Sequence, residues 1–486
     1  MMKTIAYIFR IALPVLLFVG TGSLSAQSVR QDEQEVLRKT DGGVYNVYDA
    51  DAPKVITPVP DGYTVTGISH YGRHGSRYCT DSYRETASHL EEMHQQGILS
   101  ERGEQVYESF KALVPSLAGR EGELVQLGRR QHQGIAARMY RNHPALFTTD
   151  ANLSARSTLV PRCIESMGAF CEQLARLCPE VEIPQEASMY YLGEVSAMQE
   201  YVYFYDVDYK KQSKELKKEW EKKILHTDSF RKMLCGDNKE DAHHMRDLAR
   251  QLRNIYLSLP YVDDCDARAV EAFRYAIDGV SGTETGMRPV QVPLFDDETW
   301  RQLGDVTKSR HLVEVYYPTL HHSVMNIFMI DRIMRMVDED LAAGKPFVRL
   351  RFGHDTILMA TLKDFGVRGW RVWEACDTLT QEQAMWKTLG ELSMSRIPMA
   401  ANLQMVFYRR DKDSRQFASV FASSQNAPEV LFKMLLNESE LELPIPAVCG
   451  RIYDWSVFKA YMAPRIEKGK SRAQPFLKYP YPIPRQ

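Results

Sequence analysis

A β-branched run from Tyr63 to Ile68 leads without a break into Ser69-His70-Tyr71-Gly72-Arg73-His74-Gly75-Ser76-Arg77. The run alternates apolar and small polar residues, the period of a strand. Gly72 and Gly75 then interrupt it, so the pattern predicts His74 on a tight turn at a strand's carboxyl end. Open α/β sheets gather their ligand sites at that edge. Arg73 and Arg77 flank the histidine. Arginine forks match the tetrahedral oxygens of a phosphate, and a neutral imidazole can attack phosphorus. The stretch therefore points to a sheet-based fold and to phosphoryl transfer through a phosphohistidine.

A second stretch repeats this logic far downstream. Phe347–Phe352 reads as a strand and is followed by Gly353-His354-Asp355-Thr356. Only a fold can join His354 to His74, and two parallel strands ending at one edge would do so. Asp355 is also accounted for more simply, as a carboxylate favoured by a helix N-terminus. A third piece is Ala155-Arg156-Ser157-Thr158, with Arg162 further on. Arg156 ends a short predicted strand, Asn152–Arg156, and offers another fork for phosphate. Ser157 and Thr158 can cap the helix that follows.

Around these motifs, strand-like and helix-like segments alternate from Gly62 to about Leu192. Helical periods run over Ser82–Gln96, Glu101–Ala118, Gly128–Tyr140 and Leu159–Leu177. The pattern predicts an α/β fold with a mostly parallel sheet flanked by helices. Residues 193–310 change character to mainly helical and read as an inserted cap. The α/β pattern then resumes, so residues 27–192 and 311–486 form the expected core. The lysines between Lys210 and Lys223 line either a polyanion site or, since acids alternate with them, a solvated helix face. Arg349 and Arg351 alternate with Val348, Leu350 and Phe352. Either that strand has a polar face or one arginine reaches the pocket.

The formal charge of this 486-residue chain is −2. That excludes the broad positive field of a general nucleic-acid binder, so any anion site must be local. Lys3 and Arg10 precede an apolar run, Ile11 to Gly20, and small residues end at Ser25-Ala26. This order predicts a cleaved signal peptide over residues 1–26 and export to the periplasm or medium. The run is shorter than the roughly 20 residues that span a bilayer, so no stable membrane insertion is expected. The eight cysteines fall after the signal. Export permits disulfides, and scattered buried thiols are an equal reading. No Cys or His spacing matches a zinc site, and neither a metal nor another cofactor is expected.

Arg73-His74-Gly75-Ser76-Arg77, then Arg156 before Ser157-Thr158 and Arg162, then His354-Asp355, in this order, resemble the histidine acid phosphatase family. That family has a phosphoglycerate-mutase-like core and includes phytases and multiple inositol polyphosphate phosphatases. The Gly128–His132 helix, Asn402–Tyr408 and Leu436-Asn437-Glu438 are similar as well. The resemblance spans essentially the whole mature chain and is weakest over the cap. It implies that His74 is the nucleophile and that Arg73, Arg77, Arg156 and His354 bind the phosphoryl oxygens. Asp355 would protonate the leaving alcohol. The expected partner is a small phosphate monoester, and the oligomeric state stays open.

Free Asp and His titrate near 3.9 and 6.5. Arginines lower both values, and a bound phosphate dianion raises that of Asp355, which predicts an acidic optimum. Arg77-Tyr78-Cys79-Thr80 is closer to the inositol polyphosphate phosphatases, which usually carry His-Ala-Glu where this chain has His354-Asp355-Thr356. Phytate, other sugar phosphates and nucleotides all remain candidate substrates. A mutase or phosphotransferase and a silent phosphate-binding protein are the alternatives.

Overall fold

The computed structural model describes residues 42–196, 209–238, 240–279, 291–316, 321–370, 378–392, 394–411 and 427–474. The expected signal peptide and Cys376 lie outside the described residues. Among them the chain forms a mixed α/β structure, a central sheet flanked by helices. Its strands are β1 (Tyr63–Arg73), β2 (Asn152–Ser157), β3 (Gln185–Glu186), β4 (Phe347–Gly353), β5 (Asn402–Arg410), β6 (Val430–Leu436), β7 (Ser439–Glu440) and β8 (Tyr453–Asp454).

The order is β3-β2-β4-β1-β5-β6-β7, with β8 paired to β6. The four strands from β3 to β1 are parallel, and β5 to β8 join antiparallel. The parallel half carries the predicted motifs. In it Arg73 pairs with Gly353, and Ser157 with Phe352. The residues that follow each strand therefore emerge side by side at one edge. Two backbone bonds carry that register beyond the strands: His74 N to Gly353 O at 3.0 Å and Thr158 N to Phe352 O at 3.1 Å.

The two-residue period of β4 sorts its side chains between the sheet's faces. Val348, Leu350 and Phe352 are buried in one apolar cluster with Ile68, Ala155, Ile135 and Phe170. This face is covered by helices Gln126–Asn142 and Pro161–Leu177. The opposite face presents Phe347, Arg349 and Arg351. Arg349 donates to both Asp340 oxygens at 2.8 and 2.6 Å and to Ser154 at 3.1 Å. Arg351, fully buried, reaches Ser69 Oγ at 3.0 Å. The strand thus has one polar face, held by the neighbouring strands and helix His321–Ala343, although Arg351 Nε is buried without a hydrogen-bond partner.

The other helical elements include Tyr83–Gln95, Glu101–Leu117, Tyr209–Ile224, Asp228–Cys235, Ala242–Ser258, Ala267–Asp278 and Asp297–Tyr316. Their apolar stripes, among them Phe110, Phe230, Leu252 and Phe273, form one continuous core with the second face of the sheet. Helix Asp297–Tyr316 runs through position 310, the expected end of the cap. Lys217 pairs with Glu314, and Lys223 lies 3.0 Å from both Glu219 and Glu382, the partnering expected of a solvated face. The seven described cysteines are all free thiols.

Candidate active site

The turn after β1 is gripped from two sides. Gly75 N donates to Ser166 Oγ at 3.1 Å, from helix Pro161–Leu177. Ser76 N donates to Gln131 Oε1 at 2.9 Å, from helix Gln126–Asn142. Gly75 lies directly on Gly128 of that helix: a Cβ on Gly75 would meet Gly128 O at 2.5 Å. Glycine at both positions lets the backbones touch. A second close approach fixes the β4 turn, where a Cβ on Gly353 would stand 2.0 Å from the Tyr71 hydroxyl. That hydroxyl donates to Val195 O at 2.8 Å and accepts from His354 N at 3.3 Å.

His74 is buried, and its Nδ1 lies 2.9 Å from Gly75 O. A carbonyl only accepts, so Nδ1 carries the proton and Nε2 keeps its lone pair. Burial lowers the basicity of the ring, and Arg73, Arg162, Arg77 and His354 lower it further, well below the usual histidine range. His74 therefore stays neutral with a free Nε2. The His354 ring meets it edge-on, with centroids 5.7 Å apart. His354 Nε2 lies 3.5 Å from Thr158 Oγ1 and 3.8 Å from Cys163 Sγ.

Arg73 is fully buried and tightly placed. Its Nη1 donates to Val44 O at 2.6 Å and Ile397 O at 3.0 Å, while Nη2 faces Asp355 Oδ2 at 2.9 Å. Arg77 donates to Tyr78 O at 2.9 Å and stacks over Tyr45 at 5.5 Å. The Nε atoms of Arg73, Arg77 and Arg162 are buried without a hydrogen-bond partner. Orphaned donors of one sign around a histidine form an anion cradle.

Asp355 opens helix Asp355–Asp364, and its Oδ1 accepts from Thr356 N at 2.8 Å. Burial alone would raise its pKa. Arg73, then His311, outweigh burial and hold the carboxyl well below the usual range.

The structure brings Arg73, His74, Arg77, His354 and Asp355 together. Arg156 is turned elsewhere: its guanidinium pairs with Glu194 and, at 3.2 Å, with Glu186, and lies 3.9 Å over the Tyr191 ring. Arg162, six positions on in the first turn of helix Pro161–Leu177, reaches the cradle. Among the described residues its guanidinium has no ion pair, and its charge acts on His74, Arg73 and Arg77. No group of three or more His, Cys, Asp or Glu side chains that could hold a metal ion occurs among the described residues.

Residues 72–423 match the sequence model of the histidine phosphatase superfamily, branch 2. The chain belongs to that family. Solved structures of similar fold include the Bifidobacterium longum multiple inositol polyphosphate phosphatase in complex with inositol hexasulfate. It is 15% identical, covers 88% of this chain and 97% of its own, and has a TM-score of 0.62. The phytase from D. castellii is 13% identical, with coverages of 92% and 90% and a TM-score of 0.57. No curated protein matches the chain.

Within this histidine phosphatase site, two groups are not evident from local sequence. Arg162 stands inside the same motif as Arg156, but the strand end favours Arg156 as the fork. His311 has no local motif. It lies in helix Asp297–Tyr316 among the apolar residues Val306, Leu312, Val313 and Val315. Its Nε2 stands 3.8 Å from Asp355 Oδ2. Its neighbours one turn away, Thr307, Lys308, Glu314 and Val315, are mostly polar, so helical periodicity gives no signal for it.

Proposed function

We propose that this branch 2 histidine phosphatase is an exported phosphomonoesterase that forms a phosphohistidine at His74. The observation that carries the reading is His74 itself, with Nδ1 tied to Gly75 O and Nε2 free beside three arginines. His74 Nε2 attacks phosphorus in line with the leaving oxygen. Arg73, Arg77, Arg162 and His354 stabilise the charge on the phosphoryl oxygens. So slow an uncatalysed reaction needs most of its acceleration from stabilisation of this kind. Asp355 protonates the departing alkoxide and then helps deprotonate the water that releases phosphate. The resting Asp355 is ionised, so it must take up a proton before it can act; acid and the charge of a bound phosphate dianion both favour that uptake, and this supports an acidic optimum.

Inositol polyphosphates, phytate among them, are the proposed substrate class. The similar solved structures include a multiple inositol polyphosphate phosphatase holding inositol hexasulfate, and a phytase. The order of basic, apolar and small residues over positions 1–26 supports export.

The test is release of inorganic phosphate from p-nitrophenyl phosphate and from phytate between pH 3 and 8. Turnover of both with an optimum below neutral is expected. No release from either ester at any of these pH values would sink the reading.

A further inference from the structure

Asp355 has two oxygens with different company. Oδ1 is engaged by the Thr356 amide, which leaves Oδ2 as the working oxygen. Oδ2 faces the Arg73 guanidinium at 2.9 Å on one side and His311 Nε2 at 3.8 Å on the other. His311 Nδ1 lies 2.8 Å from the Thr307 carbonyl, four residues earlier in its own helix. That carbonyl accepts only, so Nδ1 holds a proton whatever the ring's charge. If the ring were neutral, the lone pair of Nε2 would point at a carboxylate oxygen, with an acceptor facing an acceptor. One proton between Nε2 and Oδ2 removes the conflict.

We infer that His311 and Asp355 form a proton-sharing dyad in which His311 stores the proton that Asp355 delivers to the leaving group. The inference rests on the phosphohistidine reading above. His311 acts through Asp355 and is a positioning residue for that proton.

In the first half-reaction His74 Nε2 bonds to phosphorus as the bond from phosphorus to the alcohol oxygen breaks. The alkoxide takes a proton from Asp355 Oδ2, Asp355 takes the Nε2 proton of His311, and His311 is left neutral. In the second half-reaction water attacks phosphorus, its proton returns through Asp355 to His311, and the bond from phosphorus to His74 breaks. Protons and charge are then restored, with inorganic phosphate and alcohol as products.

The surroundings favour storage on His311. Burial opposes a charged ring there, and the Asp355 carboxylate outweighs it, so His311 titrates above the usual histidine range. Asp355 also faces Arg73 and His74, with Tyr71, Arg77, Arg162 and Cys163 acting on it from the strand edge and the helix beside it. On its own helix His311 sees Glu314, which adds to the pull on its proton. The cationic side of the site thus holds Asp355 ionised, and His311 keeps one proton within reach.

The test compares pH profiles of kcat/KM for wild type, His311→Ala and His311→Gln on two esters. p-Nitrophenyl phosphate has a leaving group that needs little protonation, and glycerol 2-phosphate has an alkoxide that needs it fully. Both variants should lose at least about tenfold more on glycerol 2-phosphate than on the aryl ester. Their alkaline limb on the alkyl ester should move at least about one pH unit toward acid. Equal losses on the two esters, with coincident limbs, would overturn the dyad while leaving the phosphatase reading intact. Wild-type inactivity on both esters would overturn the phosphatase reading and the dyad with it. A second measurement approaches from the other side and needs no His311 variant. In Asp355→Asn, the NMR titration of His311 should move to lower pH than in wild type, and an unmoved titration overturns the dyad.

Discussion

Arg162 and Arg156 are six positions apart in one motif, and the structure separates what their loss should do. The Arg162 side chain has no ion pair among the described residues; burial and then the like charge of Arg77 disfavour its cation, with Asp355 opposing them. Arg162→Ala removes no fold contact of that kind, so the melting temperature should hold. It does remove one charged donor from the cradle. Removing a single donor of this type costs about 10²–10³ in kcat, about 2.7–4 kcal/mol of barrier. Arg156→Ala should do the reverse. It strands Glu194, whose side chain is 9% exposed, and leaves Glu186 without its partner. Breaking a fully buried pair costs about 3–5 kcal/mol, and part exposure of this one reduces that to about 2 kcal/mol. The melting temperature should fall by about 2 °C, with kcat within about threefold of wild type. Steady-state kinetics on p-nitrophenyl phosphate and thermal melts of both variants decide it. A hundredfold loss of kcat in Arg156→Ala at an unchanged melting temperature, with Arg162→Ala active, would refute the assignment.

Other expectations follow from the same geometry. Gly75→Ala should cost roughly 1–3 kcal/mol in denaturant melts and most of the turnover, because its Cβ would strike the Gly128 backbone; a fully active, equally stable variant would contradict the clamp. Asp355→Asn should lose about 10²–10⁴ in kcat on alkyl phosphates and much less on p-nitrophenyl phosphate, and equal losses would remove Asp355 from the acid role. His70 and His132 are buried beside Phe352, and burial holds each near a pKa of about 3. Their folded values lie below the unfolded 6.5, so the stability they protect is complete above about pH 6.5 and is lost as pH falls toward 3. The slope should be about 1.4 kcal/mol per pH unit for each ring, and His132→Gln should flatten it in urea melts at pH 6 and 4.

The parts of this site that sequence alone disclosed are those where chemistry and chain geometry coincide. His74 and His354 each follow a strand pattern broken by glycine, and the register of β1 with β4 sets them side by side. The α/β class was equally plain from the alternating periods. Strand direction was not, because a two-residue period is the same for parallel and antiparallel neighbours, and the antiparallel course of β5 and β6 appears only in the structure. Arg156 looked like the third fork because it ends a strand. Which way its side chain points depends on β3 and on Glu194, which lie farther along the chain. His311 was hidden for the same reason, since its partner Asp355 becomes a neighbour only when helix Asp297–Tyr316 packs over the sheet edge.

The central claim is a covalent phosphate on His74. Mixing the enzyme with a ³²P-labelled ester, quenching in alkali within milliseconds and mapping the labelled peptide tests it directly. The account predicts label stable to alkali and labile to acid, carried by His74 and absent from His74→Ala. A wild-type enzyme that turns over with no trapped label, or a label that survives in His74→Ala, would contradict it.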